Sequence, residues 1–245
     1  MKKVAIISDI HGNLEALNSV LSDIEKQNVD NIYCLGDVVG YGPYPGKCLK
    51  LVREIAHIIV MGNHEEGVIG WGSPTDFNSS ALRGLYFSRT QLGDDDIEFI
   101  KSLPTYEIVD EYDITLVHGS FVGSNTWSRI FNISDAMREL GAIFTNLCVV
   151  GHIHVPLVIS SEGEFQHDGI IKKVLDKDKK YLLNVGSVGQ PRDKNPKACY
   201  GLLTIDRDEK TFEIRRVSYD IEKTANAIIR AKLPVYLAER LFEGR

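Results

Sequence analysis

Five short blocks of acidic, amide and imidazole side chains constrain what this chain can fold into. Each block follows an apolar stretch typical of a buried strand, and each lies within a few residues of a glycine. The blocks hold Asp9 with His11, Asp37, Asn63 with His64, His118, and His152 with His154. One polar residue after a strand is an ordinary turn feature, but five such blocks are hard to obtain by chance. They therefore predict a shared site.

The order of the predicted elements favours an α/β fold. Strands alternate with amphipathic helices through the first half, beginning with an apolar run at residues 4–7 and a helix capped by Asn13. The last third changes to short strands joined by polar turns, followed by two helices on either side of Pro234. We expect a single domain over residues 1–245, built on two packed sheets flanked by helices, with residues 221–243 as an appended cap.

The residue types in the blocks indicate a metal site. Strand ends gather at one edge of an open α/β sheet, so the blocks should converge there. Carboxylates, an amide and imidazoles without thiolates suit Mn, Fe, Zn, Co or Ni better than Mg or Ca. About seven ligands exceed one tetrahedral zinc site and fit two ions that share a carboxylate. Such a pair of ions suits phosphate ester hydrolysis.

Composition and charge limit the classes of molecule that this chain is expected to bind. The net charge of −6 and the lack of a long basic stretch argue against stable binding to nucleic acid or to an anionic membrane. Two divalent ions would nevertheless keep the pocket cationic, so we expect a small anionic substrate. No apolar run suits a signal peptide or a membrane span. Four well-separated cysteines without a Cys-x-x-Cys pair are typical of a reducing compartment, and we expect a cytoplasmic protein.

The five blocks, in their order and spacing, resemble those of the calcineurin-like metallophosphoesterases. The resemblance covers residues 3–206 and implies a four-layer α/β/β/α sandwich of two packed mixed sheets flanked by helices. It implies two metal ions, with Mn as the expected metal. It makes His64 the residue that protonates the leaving group or holds the phosphate. The implied ligands are Asp9, His11 and His154 for the first ion, Asn63, His118 and His152 for the second, and Asp37 as the bridge.

Two further segments, residues 41–45 and 186–193, resemble a prokaryotic branch whose members include hydrolases of dinucleoside polyphosphates and other phosphodiesters. The resemblance therefore implies a phosphoesterase that cleaves phosphodiester or nucleotide-type substrates with a metal-bridging hydroxide. A phosphomonoesterase, a non-catalytic scaffold on the same fold, and a nuclease acting on short oligonucleotides stay open as alternatives. Whether the chain forms a homo-oligomer is also open, since the apolar faces of the C-terminal helices could pack on the domain or on another copy.

One departure separates this chain from the phosphoprotein phosphatase branch of the family that it resembles. In that branch the block of the bridging carboxylate continues with an Asp that orients the catalytic histidine and an Arg that holds phosphate. Gly40 and Tyr41 stand at these places here. The departure argues against a protein phosphatase and leaves His64 without its usual partner. Glu65 and Glu66 are the candidate replacements.

Three residues outside the blocks are candidates for substrate binding. Arg192 could hold phosphate, because a guanidinium makes bidentate contacts with it, or it could form a salt bridge within its loop. Tyr41 and Tyr44, together with Trp71, could form an aromatic wall for a nucleobase, but packing in the core is an equally open interpretation.

Overall fold

The computed structural model describes residues 1–122, 127–167 and 171–245. Within these ranges, strands β1 to β12 are Lys2–Ile7, Asn31–Cys34, Ile58–Ile59, Tyr106–Val109, Ile114–Val117, Leu147–Val150, Leu157–Ser160, Phe165–Gln166, Lys172–Leu175, Tyr181–Asn184, Ala198–Asp206 and Glu209–Val217. Helices α1 to α8 are Leu14–Gln27, Pro45–Ile55, Asn63–Val68, Ser79–Gln91, Asp94–Lys101, Ile133–Ala142, Ile221–Arg230 and Tyr236–Glu243. None of these helices is both long enough and apolar enough to cross a membrane.

The strands form two mixed sheets. The first has the order β3-β2-β1-β11-β12-β9, and the second has the order β4-β5-β6-β10-β7-β8. In the first sheet β1, β2 and β3 are parallel neighbours, and in the second β5, β6 and β10 are. The remaining pairs are antiparallel. Each sheet therefore has a parallel half whose carboxyl ends point the same way.

Successive side chains along a strand point to opposite faces of its sheet, and each face packs into a different core layer. In β1, Val4 and Ile6 belong to a core between the sheets, whereas Ala5 and Ile7 belong to a core that includes α1 and α2. In the second sheet, side chains from β5, β6 and β10 also alternate, and the outward set packs against α6. Each fully buried aliphatic side chain stabilises the fold by about 1.5–3 kcal/mol. The predicted α/β fold, with two sheets flanked by helices, is confirmed.

The chain departs from the expected elements around residues 57–68. The strand expected at residues 57–61 is reduced to β3, because the N–H of Met61 donates to the Pro104 carbonyl, away from the sheet. Helix α3 then occupies residues expected to be turn and loop. Six residues without apolar periodicity gave no helical pattern in the sequence. Its first turn carries Glu65 and Glu66, which suit a helix N-terminus.

The C-terminal helices pack on the rest of the chain. The apolar side chains of Ile228, Leu237 and Leu241 are buried and share a cluster with Tyr41. Thr224 of α7 also donates to Oδ1 of Asn13 at 3.0 Å, the side chain that caps α1. Of the two alternatives for these apolar faces, the structure therefore shows packing within the chain.

Candidate metal centre

The five blocks meet where the carboxyl ends of the parallel strands lie side by side. They follow β1, β2 and β3 in the first sheet and β5 and β6 in the second. Two hydrogen bonds join the sheets at this edge. Nδ1 of His118 donates to the Leu35 carbonyl at 2.7 Å, and the N–H of His152 donates to Asp9 Oδ2 at 3.0 Å. Packing of one sheet on the other therefore brings together residues that are far apart in the chain.

Asp9, His11 and His154 form one group of facing ligand atoms. Nε2 of His154 lies 3.1 Å from Asp9 Oδ1 and 3.2 Å from Nε2 of His11. Nε2 of His11 lies 3.8 Å from the same carboxylate oxygen. All three side chains are buried.

Asp37, His118 and His152 form a second group. Nε2 of His118 lies 3.3 Å from Asp37 Oδ2 and 3.2 Å from Nδ1 of His152. The same Asp37 oxygen lies 3.6 Å from Nε2 of His11 in the first group. The Asp37 carboxylate therefore lies between the two groups, as a bridging ligand would.

Backbone carbonyls fix the tautomers of three imidazoles. Nδ1 of His11, His118 and His154 lies 2.6–3.0 Å from the carbonyls of Val39, Leu35 and Gln190. Because a carbonyl only accepts, each Nδ1 carries the proton and each Nε2 of the neutral ring presents a lone pair. Metal-binding histidines are held in the same way in other proteins.

Buried acceptors without donors fit a bound cation. Asp9 Oδ1 and Asn63 Oδ1 are buried and lack a hydrogen-bond partner among the described residues. Asp9 Oδ1 does lie 3.1 Å from Nε2 of His154, but that nitrogen of the neutral ring presents a lone pair rather than a proton. Buried polar atoms rarely stay unsatisfied. Carboxylate, amide and imidazole donors that face one another in this way fit divalent metal ions.

Burial and mutual charge set the protonation of the metal-free site. Burial opposes the ionised form of Asp37, but the imidazoles of His118 and His64 outweigh it and hold the pKa of Asp37 well below its usual value. Burial also opposes charge on His118, yet Asp37 raises the pKa of His118 to about 9. Burial, helped by His118, lowers the pKa of His152 to about 3. In the metal-free site His118 is therefore protonated at neutral pH. Metal binding would displace this proton.

Glu65 organises the loops around the site without facing the ligand groups. Its carboxylate accepts four backbone N–H groups, at 2.6–3.1 Å, from residues 37–39 and from Gly62. It is fully buried. Burial and the charge of Asp37 raise the pKa of Glu65 to about 7. Glu65 therefore ties the loop after β2 to the loop after β3, which carry Asp37 and Asn63.

The ligand loops contain backbone conformations that side chains rarely adopt. In these loops, φ lies between 49° and 67° at Asp9, His11, Asp37, Tyr41, His152 and His154. Left-handed backbone at residues other than glycine costs free energy and clusters at functional sites. The surrounding hydrogen bonds must hold these loops in place, which is typical of a site shaped for a ligand rather than for stability.

A cleft of about 840 Å³ opens over both ligand groups. Asp37, Asn63 and His64 line its floor. Among the predicted substrate-binding residues, Tyr41 and Arg192 line the cleft, and so does Trp71. Tyr44 does not. It lines a separate surface groove of about 1010 Å³ that holds no member of the five blocks, so the structure does not bring Tyr44 to this site.

Several cleft residues lacked a signal in the sequence. Phe77, Trp127 and Arg129 line the cleft, and the indole of Trp127 donates to Glu66 and lies 5.8 Å from the ring of His118. No motif marks these three positions, because they enter the cleft from loops whose course depends on tertiary packing. Neither candidate replacement, Glu65 or Glu66, contacts Nδ1 of His64: that nitrogen has no hydrogen-bond partner among the described residues, and both carboxylates have other partners.

Known proteins are similar to this chain in structure and in sequence. A metallophosphoesterase from Sphaerobacter thermophilus superposes with a TM-score of 0.87 at 39% identity, covering 100% of this chain and 99% of that one. The protein MJ0912 of Methanocaldococcus jannaschii is 42% identical over 248 residues, covering 99% of this chain and 98% of that protein. Phosphodiesterase YfcE of Escherichia coli (strain K12) is 26% identical over 215 residues, covering 84% of this chain and 89% of YfcE.

The family model for the calcineurin-like phosphoesterase superfamily domain matches residues 1–208. The matched range contains all five blocks, every strand of both sheets except β12, and helices α1 to α6. With the fold and the converging blocks described above, this match shows that the chain belongs to the calcineurin-like phosphoesterase superfamily.

Proposed function

We propose that this protein is a phosphoesterase with two metal ions that hydrolyses phosphodiester or nucleotide-type substrates. The observation that carries the proposal is the pair of ligand groups that meet at Asp37, with Asp9 Oδ1 and Asn63 Oδ1 buried and lacking donors among the described residues. A single ion would leave one of the two groups unsatisfied. The arrangement of facing lone pairs is costly to keep in a fold that binds no cation.

In this proposal Asp9, His11 and His154 hold one ion, and Asn63, His118 and His152 hold the other. Asp37 contributes to both. When bound, two divalent ions supply the charge that activates a water molecule and neutralises phosphate oxygens. The chain's own contribution is a rigid set of donors whose outer nitrogens are fixed by backbone carbonyls.

His64 is the proposed catalytic side chain. It lines the cleft beside Asp37, and its backbone N–H donates to Asp37 Oδ1 at 2.8 Å. Nδ1 is buried, which leaves Nε2 as the nitrogen that can reach the cleft. From this position His64 can hydrogen-bond a phosphate oxygen or the leaving group.

The shape and charge of the cleft favour a substrate larger than a simple phosphate. Its volume of about 840 Å³ lies in the range of sites for ligands the size of a nucleotide. Arg129 and Arg192 line it, and neither forms an ion pair among the described residues. Trp71 and Trp127 offer aromatic surface for a base. The relative YfcE is named a phosphodiesterase, which supports the same class of substrate.

Mn is the proposed native metal, with Fe, Zn, Co and Ni as alternatives that the imidazole and oxygen donors also suit. The test uses metal-stripped protein that is resupplied with each of these metals or with Mg. Release of p-nitrophenol is then measured from bis-p-nitrophenyl phosphate and from p-nitrophenyl phosphate. Metal content per chain is determined in parallel.

The proposal expects turnover that depends on metal and is faster with the diester. Preference for the monoester would replace it with a phosphomonoesterase. Absence of turnover with every metal, in protein shown to hold two ions, would favour the non-catalytic scaffold.

A further inference from the structure

Nδ1 of His64 has no carboxylate partner among the described residues, and the backbone leaves no room for a side chain at position 40, where the resemblance places the orienting Asp of the phosphoprotein phosphatases. Nδ1 of His64 is buried and has no hydrogen-bond partner among the described residues. A Cβ added to Gly40 would lie 2.0 Å from that nitrogen, and Gly40 has a φ of +88°. Glycine at position 40 is therefore required by the position of the His64 ring itself.

Aromatic rings surround His64 instead. The ring of Tyr41 lies 4.7 Å from it at 45°, and the ring of Phe77 lies 5.4 Å away at 81°. The ring of His11 lies 4.7 Å away at 69°. Edge-to-face and tilted contacts of this kind are favourable and depend on ring orientation. They restrict rotation of the imidazole without a hydrogen bond to Nδ1.

Close packing and a hydrogen bond from helix α4 hold the backbone around Tyr41 in place. Tyr41 has a φ of +50°, a conformation that costs free energy unless neighbours hold it. Gly84 of α4 packs so closely that a Cβ there would lie 2.4 Å from the Tyr41 nitrogen. The hydroxyl of Ser88, one turn further along α4, accepts the N–H of Gly40 at 3.1 Å. Helix α4 therefore fixes the position of Tyr41.

The ring of Tyr41 is supported from behind by the C-terminal helices. It shares a buried cluster with Ile228 of α7 and with Leu237 and Leu241 of α8. These helices lie beyond residue 208, where the match to the family model ends. Leu237 is fully buried and is absent from the lining of the cleft. A change at Leu237 can therefore reach His64 only through intervening side chains.

We propose that the rings of Tyr41 and Phe77 replace the missing carboxylate as the positioning residues of His64, and that α8 supports them through Leu237. This inference rests on the proposed function, in which His64 is catalytic. It gives Tyr41 a role in catalysis that does not require contact with a nucleobase. It also makes the C-terminal helices part of the catalytic unit.

The test compares Tyr41→Leu, Tyr41→Phe and Leu237→Ala with the wild-type protein, using Tyr86→Leu as the control. Tyr86 is an exposed tyrosine of α4 outside the cleft. For Tyr41→Leu we expect kcat to fall about 10- to 100-fold with little change in KM or in metal content, because misplacement of a reacting group has this effect. Tyr41→Phe keeps the ring and should restore most of kcat. Leu237→Ala should lower kcat in the same direction by a smaller factor.

A second readout does not depend on activity. In metal-free protein, NMR signals of the His64 ring should broaden or shift in Tyr41→Leu and stay close to wild type in Tyr41→Phe and Tyr86→Leu. Unchanged His64 signals and unchanged kcat in Tyr41→Leu would overturn the inference. So would a change in KM alone, which would make Tyr41 a substrate contact. If the wild-type protein hydrolyses no ester, the proposed function fails, and the NMR comparison still decides whether the rings position His64.

Discussion

Both carboxylate oxygens of Asp37 have partners in the site. One carboxylate oxygen faces imidazoles of both ligand groups, and the other accepts the backbone N–H of His64. It is held in left-handed backbone with a φ of +52°. The same residue therefore links both proposed metal positions to the proposed catalytic histidine.

Replacing Asp37 by Asn removes the negative charge between the two groups and keeps the size of the side chain. We expect turnover of the diester to fall at least about 100-fold and the metal content to drop, because a bridging ligand acts on both ions. Kinetics and elemental analysis of the same samples provide the measurement. Asp208→Asn, at an exposed turn, is the control. Wild-type activity in Asp37→Asn would refute the assignment of the site.

Glu65 offers a different prediction, because it holds backbone rather than metal. Glu65→Gln keeps one oxygen but turns an amide N–H₂ toward N–H groups that need an acceptor. Each buried donor left unpaired costs about 1–3 kcal/mol, so we expect a lower free energy of unfolding in urea. Metal affinity should weaken about 10- to 100-fold, measured by titration with Mn. Glu222→Gln, exposed on α7, should change neither quantity.

At the scale of elements, helix α6 holds the loop that follows β5. Glu139 of α6 is buried, and its carboxylate accepts the hydroxyl of Ser120 and the backbone N–H of Phe121. These residues come directly after His118 and Gly119. The outer helix of the second sheet is therefore connected to a proposed metal ligand by two hydrogen bonds.

Glu139→Ala should lower the free energy of unfolding by about 1–3 kcal/mol, since it removes the acceptor of the half-buried Phe121 N–H and leaves the Ser120 hydroxyl only the Val122 carbonyl. Metal content should fall as well, because the His118 loop loses its anchor. Urea unfolding of metal-free and metal-loaded protein separates the two effects. A variant that is destabilised but binds metal as tightly as wild type would show that α6 supports the fold without supporting the site.

For the whole molecule, buried imidazoles couple stability to pH. Burial lowers the pKa of His11, His64, His152 and His154 below the unfolded value. Below about pH 6.5 the unfolded chain therefore binds protons that the folded chain excludes. The pKa of His118 shifts in the opposite direction. Its pKa is raised to about 9, so its contribution is complete below the unfolded pKa and is lost as the pH rises toward 9.

We therefore expect metal-free protein to lose stability as the pH falls below about 6.5, by roughly 1.4 kcal/mol per pH unit for each histidine with a lowered pKa. A weaker loss should occur as the pH rises from about 7 to about 9, where His118 releases its proton and Glu65, whose pKa is raised to about 7, completes the release of its own. Below about pH 7 the proton that Glu65 gains offsets part of the loss from the four histidines. Urea unfolding across this range measures both slopes. A free energy of unfolding that stays constant between about pH 7 and pH 5 would contradict the prediction.

The sequence by itself determined the local chemistry and the order of the elements. Apolar runs in β1, β5 and β6 are buried whatever the details of packing, and the polar block after each run follows from chain order alone. The fold class could therefore be predicted, and so could the residue types at the site. The short helix α3 could not, because it lacks the apolar periodicity on which such a prediction depends.

Only the tertiary structure decided which loops enter the cleft and what surrounds His64. Tyr41 and Tyr44 are three residues apart, yet one faces the cleft and the other faces a separate groove, because a left-handed backbone at Tyr41 turns the chain between them. Phe77 contacts the ring of His64, and Leu237 packs in the cluster that holds Tyr41, although both come from distant parts of the chain. Such contacts depend on how sheets and helices pack, and short-range sequence patterns carry no record of that packing.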